Sequence, residues 1–139
     1  GEPQINCKKL LSQVDGATAH IAGYSYESKR RANVMLANTL AHVLKLEEPK
    51  AYQMPKPEIE STTLGKVENL DLDLIRRLVF SVYDVRRDSL MFKNCFKDAK
   101  SFDAMRSNYR ERRELSSLHL LNVEDKFKEQ LSLLGFSVD

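Results

Sequence analysis

A chain of 139 residues has room for about one domain with a core that needs no disulfide staples. Its 22 Lys and Arg against 20 Asp and Glu give a formal net charge of +2, which argues against a dedicated nucleic-acid binder while leaving room for a local basic patch. No apolar run approaches the roughly 18 residues of a membrane span, and no basic-then-apolar leader is present. Cys7 and Cys95 lack the spacing of a zinc site or a disulfide framework, so no metal is expected, and the thiols are expected to be reduced in a cytoplasmic protein.

In chain order, the first candidate feature is "GATAHIAGYS", residues 16–25, where His20 stands among small residues ahead of a helical pattern. Residues 26–46 predict an amphipathic helix: Ala32, Leu36, Leu40, Val43 and Leu44 share a face, with Met35 and Thr39 beside it. Ser25 is its expected N-cap, Glu27 suits the positive dipole end, and Pro49 lies just past the end. Residues 47–60 hold three of the four prolines, Pro49, Pro55 and Pro57, and predict an extended linker.

Shorter elements follow. Residues 62–67 predict a strand. Residues 72–85 predict a helix capped by Asp71, with Leu74, Ile75, Leu78, Val79 and Val82 at helical spacing. Residues 102–114 predict a second helix, with Ser101 before it and Phe102, Met105 and Tyr109 on one side. Residues 117–123 predict a strand, residues 124–134 a helix built on Phe127, Leu131 and Leu134 and ended by Gly135, and residues 136–138 a last strand. The mixture defines an α+β fold. A sheet of so few strands leaves edges and a face that a second copy would cover, so a homodimer is expected.

His20 admits two readings from the residues alone. It is either a satisfied histidine in a turn or a chemical group, with Gly23 permitting a tight turn or the close approach of a ligand. Glu2 is the nearby carboxylate able to orient and hold protonated an imidazole. His42 and His119 have no ligand-spaced partner, and His119 alternates with Leu118 and Leu120 so as to face away from the core. The arginines Arg76, Arg77, Arg86, Arg87, Arg106, Arg110, Arg112 and Arg113 admit three readings: a solvated face interleaved with Asp84, Asp88, Glu111 and Glu114, intersubunit ion pairs, or a reach to a phosphate in a partner subunit.

"GEP" followed by "TAHIAGYS" resembles the end of the nucleotide-binding domain in the D-2-hydroxyacid dehydrogenase family. "LIRRLVFSVYDVRRDSLMFK", "FDAMRSNYRERRELSSLHL" and "LLGFSV" resemble the C-terminal dimerisation domain of the branch of that family that oxidises a phosphorylated hydroxy acid, and the likeness runs from Glu2 to Val138. The resemblance implies the following. Residues 1–46 would be the edge of a Rossmann-type catalytic part with its long helix, 47–60 a linker, and 61–139 a small α/β sandwich that dimerises. Glu2 would hold His20, and His20 would be the acid/base at the substrate C2 hydroxyl as hydride passes to NAD. Gly23 would lie at the nicotinamide end of the cofactor, and Tyr24 would contact the substrate. The implied reaction is oxidation of 4-phospho-D-erythronate to 2-oxo-3-hydroxy-4-phosphobutanoate, towards pyridoxal 5'-phosphate. Ala19 stands where the family usually has proline, which loosens the turn before His20.

The Gly-rich phosphate turn, the acidic ribose ligand and the substrate-carboxylate arginine of that family have no counterpart in this sequence. The chain therefore reads as a C-terminal piece of a longer enzyme and is expected not to turn over alone. A second function class stays open: a stand-alone dimeric interaction module without catalysis, binding nucleic acid through "NYRERRE".

Overall fold

Ser25 begins the longest helix. Its backbone is extended and its hydroxyl accepts from the Ser28 N–H at 3.0 Å, as an N-cap must, and α1 (Tyr26–Leu44) follows. These features belong to a computed structural model that describes residues 8–47, 49 and 53–139. Among the described residues the other elements are β1 (Ser61–Thr63), α2 (Leu72–Val82), α3 (Val85–Cys95), α4 (Ala99–Ser107), β2 (His119–Leu121), α5 (Asp125–Leu133) and β3 (Ser137–Val138). The α+β expectation holds.

Contacts divide the chain into two compact units. One is built from the described residues up to Tyr24 together with Asp84–Glu111, and the other from Ser25–Tyr83 with Arg112–Asp139. The chain passes from one to the other at 24/25, 83/84 and 111/112.

The unit of Ser25–Tyr83 and Arg112–Asp139 holds the sheet. Its three strands run parallel in the order β1-β2-β3, with Ser61 opposite His119 and His119 opposite Ser137. Neighbouring parallel strands need a crossover, and α5 supplies it between β2 and β3. α5 stops by a complete Schellman closure. Gly135 takes φ 102°, its N–H donates to Ser132 O at 2.9 Å, and the Phe136 N–H donates to Leu131 O at 3.1 Å. Leu120 and Leu131, both fully buried, centre a core completed by Leu64, Leu78, Leu118, Val123, Phe127 and Phe136. Between buried Leu118 and Leu120, His119 turns outward as alternation requires. Its Nδ1 lies 2.8 Å from Ser137 Oγ and its Nε2 2.6 Å from Asp139 Oδ1.

α1 is tied to the segment after Arg112 by a polar network at its N-terminus. The Ser25 and Ser28 hydroxyls both donate to Glu114 Oε1, at 2.6 and 2.5 Å, and Arg31 reaches Oε2 at 3.4 Å. In return Glu27 accepts from the Glu114 N–H at 2.9 Å and from Arg113 Nε at 2.6 Å, while Arg113 Nη1 donates to Pro55 O. The Ser25 and Ser28 hydroxyls, with the Arg31 charge, hold the Glu114 carboxyl below the usual glutamate range against the opposing effect of burial.

The second unit packs residues 11–24 against α3 and α4. Ala19, Ile21, Phe92 and Phe102 are buried together, with Tyr24, Phe96, Met105 and Tyr109 packed around them. Asp98 caps α4 and forms a reciprocal capping box with Ser101.

Several sequence expectations move. The helix expected over 72–85 ends at Val82, and a helix that was not expected, α3, starts after its cap Asp84, its charged residues having hidden its periodicity. The helix expected over 102–114 begins three residues earlier, because Asp98 and not Ser101 is its cap, and it ends at Ser107. The strand expected over 62–67 covers only Ser61–Thr63. α1 stops at Leu44, with Lys45 in the left-handed region at φ 55°. The apolar face expected to form its core side is not buried by the described residues: Leu36 is 71 % exposed, Val43 68 % and Met35 63 %, and only Ala41 is buried. The described residues of 47–60 contain no helix or strand.

Two outcomes follow from this packing. Leu131→Ala should lower the unfolding free energy by about 3 kcal/mol in a denaturant titration, whereas Leu133→Ala, at a position 81 % exposed, should change it by less than about 0.5 kcal/mol. Glu114 has a folded-state pKa below its unfolded one, so its contribution is present at neutral pH and is lost as pH falls through the folded value. Glu114→Gln should therefore be less stable than the unmodified protein at pH 7, with the gap closing as unfolding is measured at progressively lower pH.

Candidate active-site turn

Residues 14–24 have no regular secondary structure, so their backbone polar groups need partners from elsewhere. α3 and α4 provide them. Lys93 Nζ donates to Val14 O at 2.5 Å and Asp15 O at 3.2 Å. The Ser89 hydroxyl, itself buried, accepts from the Ala17 N–H at 3.1 Å. Arg106 Nε donates to His20 O at 3.2 Å.

This stitching fixes which way the histidine faces. Ala19 and Ile21 are 7 % and 6 % exposed and anchor in the Phe92–Phe102 cluster, while His20, at a bend between them, is exposed to solvent. A tight turn follows, closed by the Tyr24 N–H donating to Ile21 O at 3.1 Å. Gly23 sits in it at φ 72°, and a Cβ built there would meet nothing within 4 Å. Glycine is thus required by backbone conformation, and the space above it is open to a ligand.

Tyr24 is half-buried. Its ring meets Tyr109 edge-on, with centroids 5.8 Å apart and planes at 78°. Arg106 Nη2 donates to its hydroxyl at 3.3 Å, and the guanidinium carbon lies 6.0 Å from the ring centroid. Tyr109 is held in turn, its hydroxyl donating at 2.5 Å to Oδ2 of buried Asp88, whose Oδ1 lies 3.9 Å from Arg110.

His20, Gly23 and Tyr24 are therefore brought together on one turn. Glu2 lies outside the described residues. Sequence reasoning missed Arg106, Tyr109 and Asp88 as members of this arrangement. The available signal was that Arg106 neighbours the Met105–Tyr109 apolar line, but no local pattern says that α4 faces residues 17–24. Of the remaining arginines, Arg76 pairs with Asp73, Arg86 with Asp84 and Arg113 with Glu27, and Arg112 stacks over Tyr83 at 4.4 Å. An open groove of about 630 Å³ lies between residues 15–18 and α3, lined by Arg86, Ser89 and Lys93 among others, but the three turn residues do not line it. Among the described residues no group of three or more His, Cys, Asp or Glu is placed to hold a metal, and no helix is long and apolar enough to cross a membrane.

The family described as "Domain of unknown function (DUF3410)" matches residues 53–135, and the chain belongs to it. Similar whole proteins carry a more specific name. The erythronate-4-phosphate dehydrogenase of Aeromonas salmonicida (strain A449) is 42 % identical over 99 % of this chain and 36 % of its own length. Those of Pectobacterium carotovorum subsp. carotovorum (strain PC1) and Escherichia coli (strain K12 / DH10B) are each 37 % identical, over 98 % and 99 % of this chain. The chain spans about a third of the length of these curated relatives, 36 % in each case. The dehydrogenase resemblance read from the sequence thus holds over nearly the whole chain.

The Tyr109–Asp88 bond gives a prediction. Tyr109→Phe withdraws a donor from a buried carboxylate and should cost about 1–3 kcal/mol, read as a lower denaturation midpoint, with faster amide exchange concentrated in residues 17–24, α3 and α4.

Proposed function

We propose that this chain is the C-terminal part of an NAD-dependent erythronate-4-phosphate dehydrogenase, a cytoplasmic homodimer. In this reading residues 1–46 border the catalytic part, 47–60 link, and 61–139 carry the dimer interface. The observation that carries the reading is the turn of residues 19–24, where His20 faces solvent between two buried anchors and beside Gly23 and Tyr24, in a chain similar throughout to enzymes of that name.

The chemistry asked of each residue is modest. Oxidation at C2 of 4-phospho-D-erythronate requires a base for the C2 hydroxyl proton as hydride departs. A solvent-facing imidazole held by its backbone can take that proton, and an imidazole is the side chain suited to doing so near neutral pH. Glu2 would accept the other ring N–H and stabilise the imidazolium. Bound NAD would supply the hydride acceptor. Gly23 fits the nicotinamide end, because the open space over its Cα lets a flat ring approach the backbone. Tyr24 would offer its hydroxyl to the substrate. The phosphates of NAD need a glycine-rich turn that this sequence does not contain, so the 139 residues alone should show no turnover.

In the full-length enzyme, His20→Asn should lower kcat for NADH formation from 4-phospho-D-erythronate about a hundredfold or more, with NAD affinity by fluorescence titration unchanged. Retention of the original kcat would remove His20 from the reaction.

A further inference from the structure

We propose that Arg106 is a positioning residue of this site, acting through Tyr24 to present a polarised donor to an anionic oxygen of the substrate; the inference rests on the assignment of His20 and Tyr24 above. One side chain on α4 reaches both ends of the turn, with Nε on the His20 carbonyl and Nη2 on the Tyr24 hydroxyl. Those two nitrogens point along one edge of a planar guanidinium, so the two oxygens are held at a fixed separation. A lysine ammonium cannot impose that geometry.

The direction of the second bond decides what Tyr24 can do. Its oxygen accepts from a cation, so its own proton is directed to a different acceptor, and a hydroxyl polarised in this way is a stronger donor. Arg106 donates here to two neutral oxygens, His20 O and Tyr24 Oη, which do not cancel its charge. A carboxylate or phosphate oxygen is the acceptor such a donor favours. Ring rotation is opposed from the other side, because Tyr109 packs edge-on and is itself tied to Asp88. Asp88 in turn has Arg110 as its cationic neighbour, which leaves Arg106 to the turn.

The test uses the full-length enzyme with Arg106→Met, Arg106→Lys, Tyr24→Phe and the Tyr24→Phe/Arg106→Met double variant. Arg106→Met should raise the KM for 4-phospho-D-erythronate about tenfold, the size of one charge-assisted hydrogen bond, and leave the KM for NAD unchanged. Arg106→Lys should recover part of the loss, and it answers the question if the Met variant folds poorly. The double variant should be no worse than Tyr24→Phe alone. Inhibition by inorganic phosphate or by oxalate separates the two anionic ends: weakened inhibition by either in Arg106→Met supports the proposal and says which end Tyr24 meets. Unchanged inhibition by both, losses that add in the double variant, or a fall in kcat with no change in substrate KM would overturn it. His20→Asn is the control for the underlying assignment. If it turns over normally, that assignment falls and this one with it, whereas a dead His20→Asn beside an unaffected Arg106→Met sinks the Arg106 role alone.

Discussion

Everything at the candidate site depends on backbone groups that have no secondary structure to satisfy them. Residues 14–24 are neither helix nor strand, so no helix or sheet ladder pairs their backbone, and where Ala19 and Ile21 draw it into the core an unpaired amide or carbonyl is unfavourable. Ser89, Lys93 and Arg106 resolve this from two helices, each making a bond that local sequence could not provide. Apolar anchoring at Ala19 and Ile21 then does the rest. With both neighbours buried, a histidine between them has one direction left. A residue suited to chemistry is thus exposed as a by-product of how its flanks are packed.

The other unit solves a different problem with the same means. A three-stranded parallel sheet with strands of two or three residues offers few ladder bonds, so burial of Leu120, Leu131 and their neighbours must hold it. The Glu114 network adds a specific link between residues far apart in sequence. Two hydroxyls and a guanidinium converge on one half-buried carboxylate, and Glu27 answers from α1. Because Glu114 accepts from the N-cap serine while Glu27 accepts from Glu114 N–H and Arg113, α1 starts where the segment after Arg112 arrives.

What was legible in the sequence was mostly local. Ser25 and Asp71 as caps, Gly135 as a stop, and Leu74, Leu78, Val79, Val82, Phe127 and Leu131 as inward positions follow from chemistry contained within a few residues, and each is found, whereas Leu134 is 41 % exposed and Ile75 is outside the core cluster. The misreadings share a cause: they needed a choice between competing local signals. Ser101 is a good cap, but Asp98 three residues earlier is also one, and their reciprocal bonds place Ser101 inside the helix. The run from Leu72 onward is apolar enough to suggest one helix, yet Tyr83 takes extended backbone and Asp84 starts another. His20, Gly23 and Tyr24 were found through resemblance, whereas Arg106 was not, since its role exists only once α4 is laid against residues 17–24.

α1 shows what periodicity can and cannot say. The pattern of Leu36, Leu40, Val43 and Leu44 states correctly that one face of the helix is apolar, but it names no partner, and the described residues do not cover that face. A 19-residue helix is marginal on propensity alone. Among the described residues, the polar contacts that hold it lie at its ends. At the start, Ser25 caps and Glu114 gathers Ser25, Ser28 and Arg31. At the finish, Lys45 accepts a left-handed backbone so that its own N–H and that of Leu46 can meet His42 O and Ala41 O at 3.3 and 2.9 Å. A lysine in that conformation is unfavourable by about 1 kcal/mol, and the two carbonyls it satisfies are what makes the conformation worth adopting.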